Sequence, residues 1–270
     1  MSLPPPGDPG SRPELCVSVL ENSHEAPAGR VAHWLAEAGA LVRVSRPHAG
    51  DAVPTMGDVG DALIVLGGPM DAYADKRAPW LPATRTLLAD AAATGLPTLG
   101  ICLGHQLLAV ALGGTVEVGA AAGPERGATV VTWAEEALHD PVLGPAVRAG
   151  VAAGHGTRAT RDYSWVYEFH SDAVAVPPRG AELLAWSEKY AVQAFRVGSA
   201  LGVQFHPEVG PEALGRWAAT TKGADEAAAV AIEEEARRVD ATVSAVGRGL
   251  VRGLVAQARE RRADPPSSGR

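Results

Sequence analysis

The sequence predicts an α/β protein: a doubly wound, mostly parallel central sheet with helices on both faces and mixed strands at one edge. Three observations point there. Through the first half of the chain, apolar runs of strand length alternate with segments of helix length, the pattern of a parallel sheet covered on both sides. Two apolar runs stop on residues that carry chemistry, Cys102 and His206, and ligands in such sheets bind at the carboxyl ends of strands. From Gly113 onward, short apolar runs between turn residues replace the alternation, which adds antiparallel or mixed strands at an edge.

In order, strands are expected at residues 14–20, 40–44, 62–66 and 97–101, and helices at 28–38, 81–94 and 103–112, a flavodoxin-like succession. Cys16, inside Leu15-Cys16-Val17-Ser18-Val19-Leu20, reads as a core residue of the first strand. Short strands follow at 128–132, 183–186, 192–195 and 200–205. Residues 147–161, with Gly150, Gly154, Gly156 and three arginines, read as a loop near the mouth of the site, and His155 as part of it rather than a ligand. Over residues 224–262, Ile232, Ala236, Val239, Val243, Val246, Leu250 and Leu254 recur in steps of three and four, one face of a helix with a break expected near Gly247 or Gly253. That face either folds back on its own domain or makes a homo-oligomer contact. The expected division is a disordered tail over 1–13, an α/β domain over 14–222, a helical extension over 223–262 and a disordered tail over 263–270.

At 270 residues, 46% hydrophobic and 20% charged, the chain can bury one good-sized core and an appendage. Its net charge of −7 argues against nucleic-acid and membrane-surface partners, both polyanions. It shows no charged-then-apolar leader and no apolar run near about 18 residues, from which a cytoplasmic location is expected. Two cysteines make no disulfide framework.

The chemistry concentrates in Gly100-Ile101-Cys102-Leu103-Gly104-His105-Gln106. A strand that delivers a nucleophile to a sharp turn, with small residues on either side and a helix restarting at once, is a nucleophile elbow. The helix N-terminus favours a thiolate there. A hundred residues later, Gln204-Phe205-His206-Pro207-Glu208 ends another apolar strand, and His206 and Glu208 leave it on the same side. A thiol nucleophile needs a base, and the base needs an acceptor to fix its tautomer; Cys102, His206 and Glu208 supply these in order. His105 is the rival base, but three residues along a helix it points about 60° away from Cys102 and into the packing.

Together these two segments resemble the class I, triad-type glutamine amidotransferases, especially stand-alone proteins similar to the glutaminase domain of GMP synthase. Three further segments agree: Ala62-Leu63-Ile64-Val65-Leu66-Gly67-Gly68-Pro69-Met70 with the family's oxyanion strand and loop, Glu125-Arg126-Gly127 with its short Glu-x-Gly turn, and Phe169-His170-Ser171-Asp172 with its substrate-side loop. The resemblance implies that Cys102 attacks the amide of glutamine to give a γ-glutamyl thioester and ammonia, with His206 as base and acid and Glu208 orienting it. It implies an oxyanion hole from the backbone N–H groups of Gly68 and Leu103, each donor worth about 10²–10³ in rate. Gln106 and the backbone around Ser171 and Asp172 would hold the glutamate part of the substrate. No cofactor and no metal are called for.

No Gly-x-x-x-x-Gly-Lys-Ser/Thr loop is present and no length remains for a synthase domain, so an acceptor for the ammonia is expected on a separate synthase. One alternative is a self-sufficient hydrolase of γ-glutamyl peptides or conjugates. Another, of a different class, is a non-catalytic binding or regulatory protein on the same fold, which the intact Cys102, His206 and Glu208 weaken.

Overall fold

The structure, a computed structural model, describes residues 14–154 and 163–264. Its first half runs β1 (Leu15–Leu20), α1 (Gly29–Glu37), β2 (Ala40–Ser45), β3 (Ala62–Val65), α2 (Leu81–Ala93), β4 (Thr98–Ile101) and α3 (Leu103–Ala111). Then come β5 (Thr115–Glu117), β6 (Glu125–Trp133), α4 (Leu143–Ala153), β7 (Tyr163–His170), β8 (Ala173–Val176), β9 (Glu182–Trp186), β10 (Ala194–Val197), β11 (Ala200–Val203), α5 (Pro211–Thr220) and α6 (Glu226–Ala263).

Nine strands form one sheet in the order β2-β1-β3-β4-β11-β10-β9-β6-β7, and β5 pairs with β8 in a separate ribbon. The five strands from β2 to β11 are parallel, and every pairing from β11 to β7 is antiparallel. The expected mostly parallel sheet with mixed strands at one edge is therefore found. Its inner parallel strands β1, β3, β4 and β11 are buried on both faces because both faces are covered. In β3, Ala62 and Ile64 pack into one layer with α1, α4 and α6, while Leu63 and Val65 pack into the other with α2 and α3. For the site, the decisive pairing is β4 with β11, which sets Ile101 beside Val203 although a hundred residues separate them.

The structure corrects several sequence expectations. Residues 147–153 are not a mouth loop but the last two turns of α4, which packs on α6. The glycines that suggest a loop are there for close approach: a Cβ on Gly150 would meet Val246 at 2.6 Å and run into the Ser164 hydroxyl. His155 and the rest of that stretch to Arg161 lie outside the described residues, as do residues 1–13 and 265–270. Glu125-Arg126-Gly127 opens β6 and is not an isolated turn, and β11 ends at Val203, two residues earlier than expected. The strand β7 and the helix α5, both next to the site, are additions to the expected elements.

The C-terminal helix α6 is one unbroken run of 38 residues, started by the Asp225 carboxylate, which accepts from the Ala227 N–H. It does not break at its glycines: a Cβ on Gly249 would meet the Ala146 N at 2.7 Å, so this residue lets α6 lie close against α4. The apolar face that includes Val246, Leu250 and Leu254 is buried in the same core as β1, β3 and β4. Among the described residues, no helix is long and apolar enough to cross a membrane.

Candidate active site

β4 carries the chain to Cys102, the one non-glycine residue with positive φ (52°) among the described residues. Side chains rarely adopt this conformation, and holding one there costs on the order of 1–3 kcal/mol. The turn closes because Gly100 and Gly104 have no side chains. A Cβ on Gly100 would meet the Gly104 carbonyl carbon at 2.6 Å, and one on Gly104 would collide with the Val65 carbonyl. Cys102 donates its N–H to the Val203 carbonyl at 2.9 Å and accepts from Gln106 N at 3.0 Å as α3 begins. Its side chain is not on an exposed turn: the residue is 6% exposed, on the floor of a cleft of about 400 Å³.

His206 leaves the end of β11 beside the elbow, its N–H fixed to the Tyr167 carbonyl at 2.7 Å. Its Nδ1 lies 2.7 Å from Glu208 Oε1, and its side chain lines the same cleft as Cys102, both packed against Gly67. A carboxylate only accepts, so the Nδ1 N–H donates to Glu208 and Nε2 is the ring nitrogen that this contact leaves free. Burial works against the imidazolium, but the Glu208 carboxylate and the Cys102 sulfur outweigh it and hold His206 well above the ordinary histidine value. Trp217 from α5 packs edge-on to the imidazole at 4.9 Å.

Gly68, after β3, lies beside Leu103: a Cβ on Gly68 would be 3.1 Å from Leu103 Cδ2. Leu103 is the first residue of α3, where backbone N–H groups lack helical partners and attract negative charge. Across the cleft, Gln106 Nε2 donates to the Asp172 carbonyl at 3.0 Å and to Gln204 Oε1 at 3.1 Å. Ser171 and Asp172 line the same wall, anchored by bonds from Ala120 N to the Ser171 carbonyl and from Gly119 N to Asp172 Oδ1. All eight residues expected at the site from the sequence thus stand around one cleft or its immediate backbone.

Behind that wall lies a buried cluster. His170 Nδ1 faces the Asp172 carbonyl at 2.9 Å, an acceptor only, so Nδ1 is protonated; Nε2 lies 3.1 Å from Glu125 Oε2 and 3.5 Å from Glu168 Oε2. Burial opposes ionisation of Glu125, but hydrogen bonds from His170, Ser187 and Gln193 hold it below the usual carboxylate range. Glu168 is the reverse case: burial, with the Glu125 charge adding to it, pushes its carboxyl well above that range. Glu125, Glu168 and His170 are the one group among the described residues with metal-ligand spacing. Glu125 is hydrogen-bonded by His170, Ser187 and Gln193, whereas both Glu168 oxygens are buried without a hydrogen-bond partner. His105 stands apart, 0% exposed against Phe195 and Gly202, and burial pushes it down to about 3. It is no base for Cys102.

Sequence reasoning missed the outer wall of the cleft: Arg126, Trp217, Thr220 and Thr221, with Glu25 and Met70. Trp217 and the two threonines sit at the end of α5, where an aromatic residue in an amphipathic helix reads as core. Arg126 alternates outward from Glu125 on β6, its guanidinium over the Phe169 ring at 5.6 Å; the Glu125-Arg126-Gly127 motif contains it, but no local pattern sets it in the wall.

Residues 23–218 match the family described as glutamine amidotransferase class-I. Over 192 residues the chain is 32% identical to a glutamine-hydrolysing GMP synthase of Pyrobaculum aerophilum, covering 70% of this chain and 32% of that protein. It is 42% identical over 116 residues to one of the named subunits of the glutamine-hydrolysing GMP synthase of Sulfolobus acidocaldarius, covering 42% of this chain and 52% of that one. The chain therefore spans a third to a half of the length of these relatives. A solved glutamine amidotransferase from Thermotoga maritima superposes with a TM-score of 0.72 at 26% identity, covering 91% of this chain and 98% of that one. Another, from Methylobacillus flagellatus, gives 0.69 at 26% identity, with 90% and 94% covered.

Proposed function

The chain belongs to the class I glutamine amidotransferase family, and from that membership we propose that it releases ammonia from glutamine through a γ-glutamyl thioester on Cys102. The observation that carries this is the strained Cys102 at the start of α3, with His206 beside it in the same cleft and Glu208 Oε1 2.7 Å from His206 Nδ1. The Cys102 sulfur attacks the side-chain amide carbon, and the Gly68 and Leu103 N–H groups receive the charge that develops on oxygen. The C–N bond then breaks as the His206 imidazolium gives its proton to the leaving nitrogen, releasing ammonia. Water attacks the thioester, His206 takes its proton, the C–S bond breaks and glutamate leaves. Glu208 holds the imidazole in one tautomer throughout. Gln106, Ser171 and Asp172 hold the amino-acid end of glutamine. In this proposal residues 14–222 are the catalytic unit and 223–262 an appended helix.

Relatives named as individual subunits of a glutamine-hydrolysing GMP synthase support use of the ammonia on a separate synthase polypeptide. The test is ammonia release from glutamine by the purified protein, with a diazo-ketone glutamine analogue as label. Modification of Cys102 and a rise in kcat when the synthase is added are expected. Labelling of Cys16 with Cys102 untouched would overturn the assignment. A second reading, a self-sufficient γ-glutamyl conjugate hydrolase, is favoured by the outer wall of Trp217, Thr220 and Thr221, which lies on the His206 side where the leaving amine departs. Turnover of a γ-glutamyl peptide at about 10 s⁻¹, unaffected by any added protein, would select it.

A further inference from the structure

We propose that α6, which lies beyond the residues 23–218 that match the family, braces the His206–Pro207–Glu208 turn and that Asp240 is its positioning residue. The proposal rests on His206 and Glu208 being the base and its orienting carboxylate. Asp240 takes a two-pronged contact from Arg30, Nη1 to Oδ1 at 2.7 Å and Nη2 to Oδ2 at 3.0 Å. It also accepts from the Tyr167 hydroxyl at 2.8 Å, a group that reaches the Ala236 carbonyl of α6 as well.

Each residue that Asp240 grips holds one member of the pair through its main chain. The Arg30 N–H donates to the Glu208 carbonyl at 2.9 Å, and the Tyr167 carbonyl accepts the His206 N–H at 2.7 Å. The residue between the pair is held too. A Cβ on Gly247 of α6 would lie 3.0 Å from Pro207 Cβ and would collide with the Trp34 ring, so the helix backbone rests against Pro207. Even the wall over the imidazole is backed by this helix, because Gly215 of α5, two residues before Trp217, lies against Glu233 of α6. Contacts made at Glu233, Asp240 and Gly247 of one helix therefore converge on the turn and on the ring that covers it. A bidentate Arg–carboxylate pair with a shared phenol fixes direction as well as distance, and shifts of an ångström in a catalytic base are enough to matter.

The experiment uses the full chain with Asp240→Ala, and Leu254→Ala as the comparison. Leu254 is a buried core residue further along the same helix and takes no part in the Asp240 hydrogen bonds to Arg30 and Tyr167. Two readouts are taken below the unfolding temperature of both variants. One is the pH profile of Cys102 alkylation by iodoacetamide, which reads the thiol–imidazole pair without glutamine. The other is kcat and KM for ammonia release. For Asp240→Ala we expect a displaced alkylation profile and a kcat about tenfold or more lower with KM within about twofold, whereas Leu254→Ala lowers Tm and leaves both readouts at wild type. Equal behaviour of the two variants, or a wild-type alkylation profile in Asp240→Ala, would overturn the brace. If Asp240→Ala does not fold, Asp240→Asn, which keeps the shape and an acceptor for Tyr167, carries the same comparison. A wild-type protein inert toward glutamine would remove the glutaminase reading while the alkylation arm still decided the brace.

Discussion

Cys102 pays for its position in backbone strain, and that strain separates its chemical role from its structural one. At φ 52° a glycine is at ease and any side chain is not. Cys102→Gly is therefore expected to be more stable than Cys102→Ala by about 1 kcal/mol in denaturant unfolding, although both abolish ammonia release. Equal stabilities would mean that the turn is not strained in solution. The partners of Cys102 differ in how replaceable they are. In the proposed mechanism His206 moves the protons at the sulfur, so His206→Ala should cost as much activity as loss of the thiol. In the same proposal Glu208 acts through His206 Nδ1, 2.7 Å away. Glu208→Gln keeps the shape but offers an amide, so a smaller loss is expected, with the limb of the kcat profile that reports His206 moved down in pH because the charge that raised His206 is gone. An unchanged pH profile would sink that role for Glu208.

At the scale of elements, the parallel half of the sheet is legible because each strand there is a continuous apolar run with a helix behind it, and a buried parallel strand needs little else. The elbow is legible because its glycines are required by backbone contacts at the turn itself. Gly104 is the clearest: with the Val65 carbonyl against it, Gly104→Ala should cost roughly 1–3 kcal/mol or more by overpacking, seen as a lower denaturant midpoint. A midpoint equal to wild type would mean that β3 can move away. The same residue type misleads in α4, where Gly150 serves a contact with β7 and α6 that lies far away in sequence. Propensity reads it as a loop, and tertiary packing overrides propensity. β7 escapes for a related reason. It is buried on alternating faces with Glu168 inside, and a charged residue in a strand pattern argues against the strand until a proton is allowed on it. The outer wall of the cleft is assembled from β6, β7 and the end of α5, and no local spacing encodes such a meeting.

For the molecule as a whole, these buried groups set how stability follows pH. His105 has its folded value depressed to about 3 from 6.5, so its contribution is present above 6.5 and is lost as pH falls toward 3. Glu168 has its folded value raised, so the stability tied to its proton is complete below about 4.5, the usual glutamate value, and drains away as pH rises through its folded value. Glu168→Gln keeps the neutral shape and removes the titration. The variant should therefore match wild type near pH 4.5 and become progressively more stable than it toward pH 9, a difference read from urea midpoints at several pH values. His206 titrates in the same direction from 6.5 upward and interacts with Glu168, so the difference reports Glu168 most directly below pH 6.5. A gap between variant and wild type that stays constant with pH would show that Glu168 is ionised in the folded protein, and the cluster with Glu125 and His170 would then need a counter-charge that its hydrogen bonds do not supply.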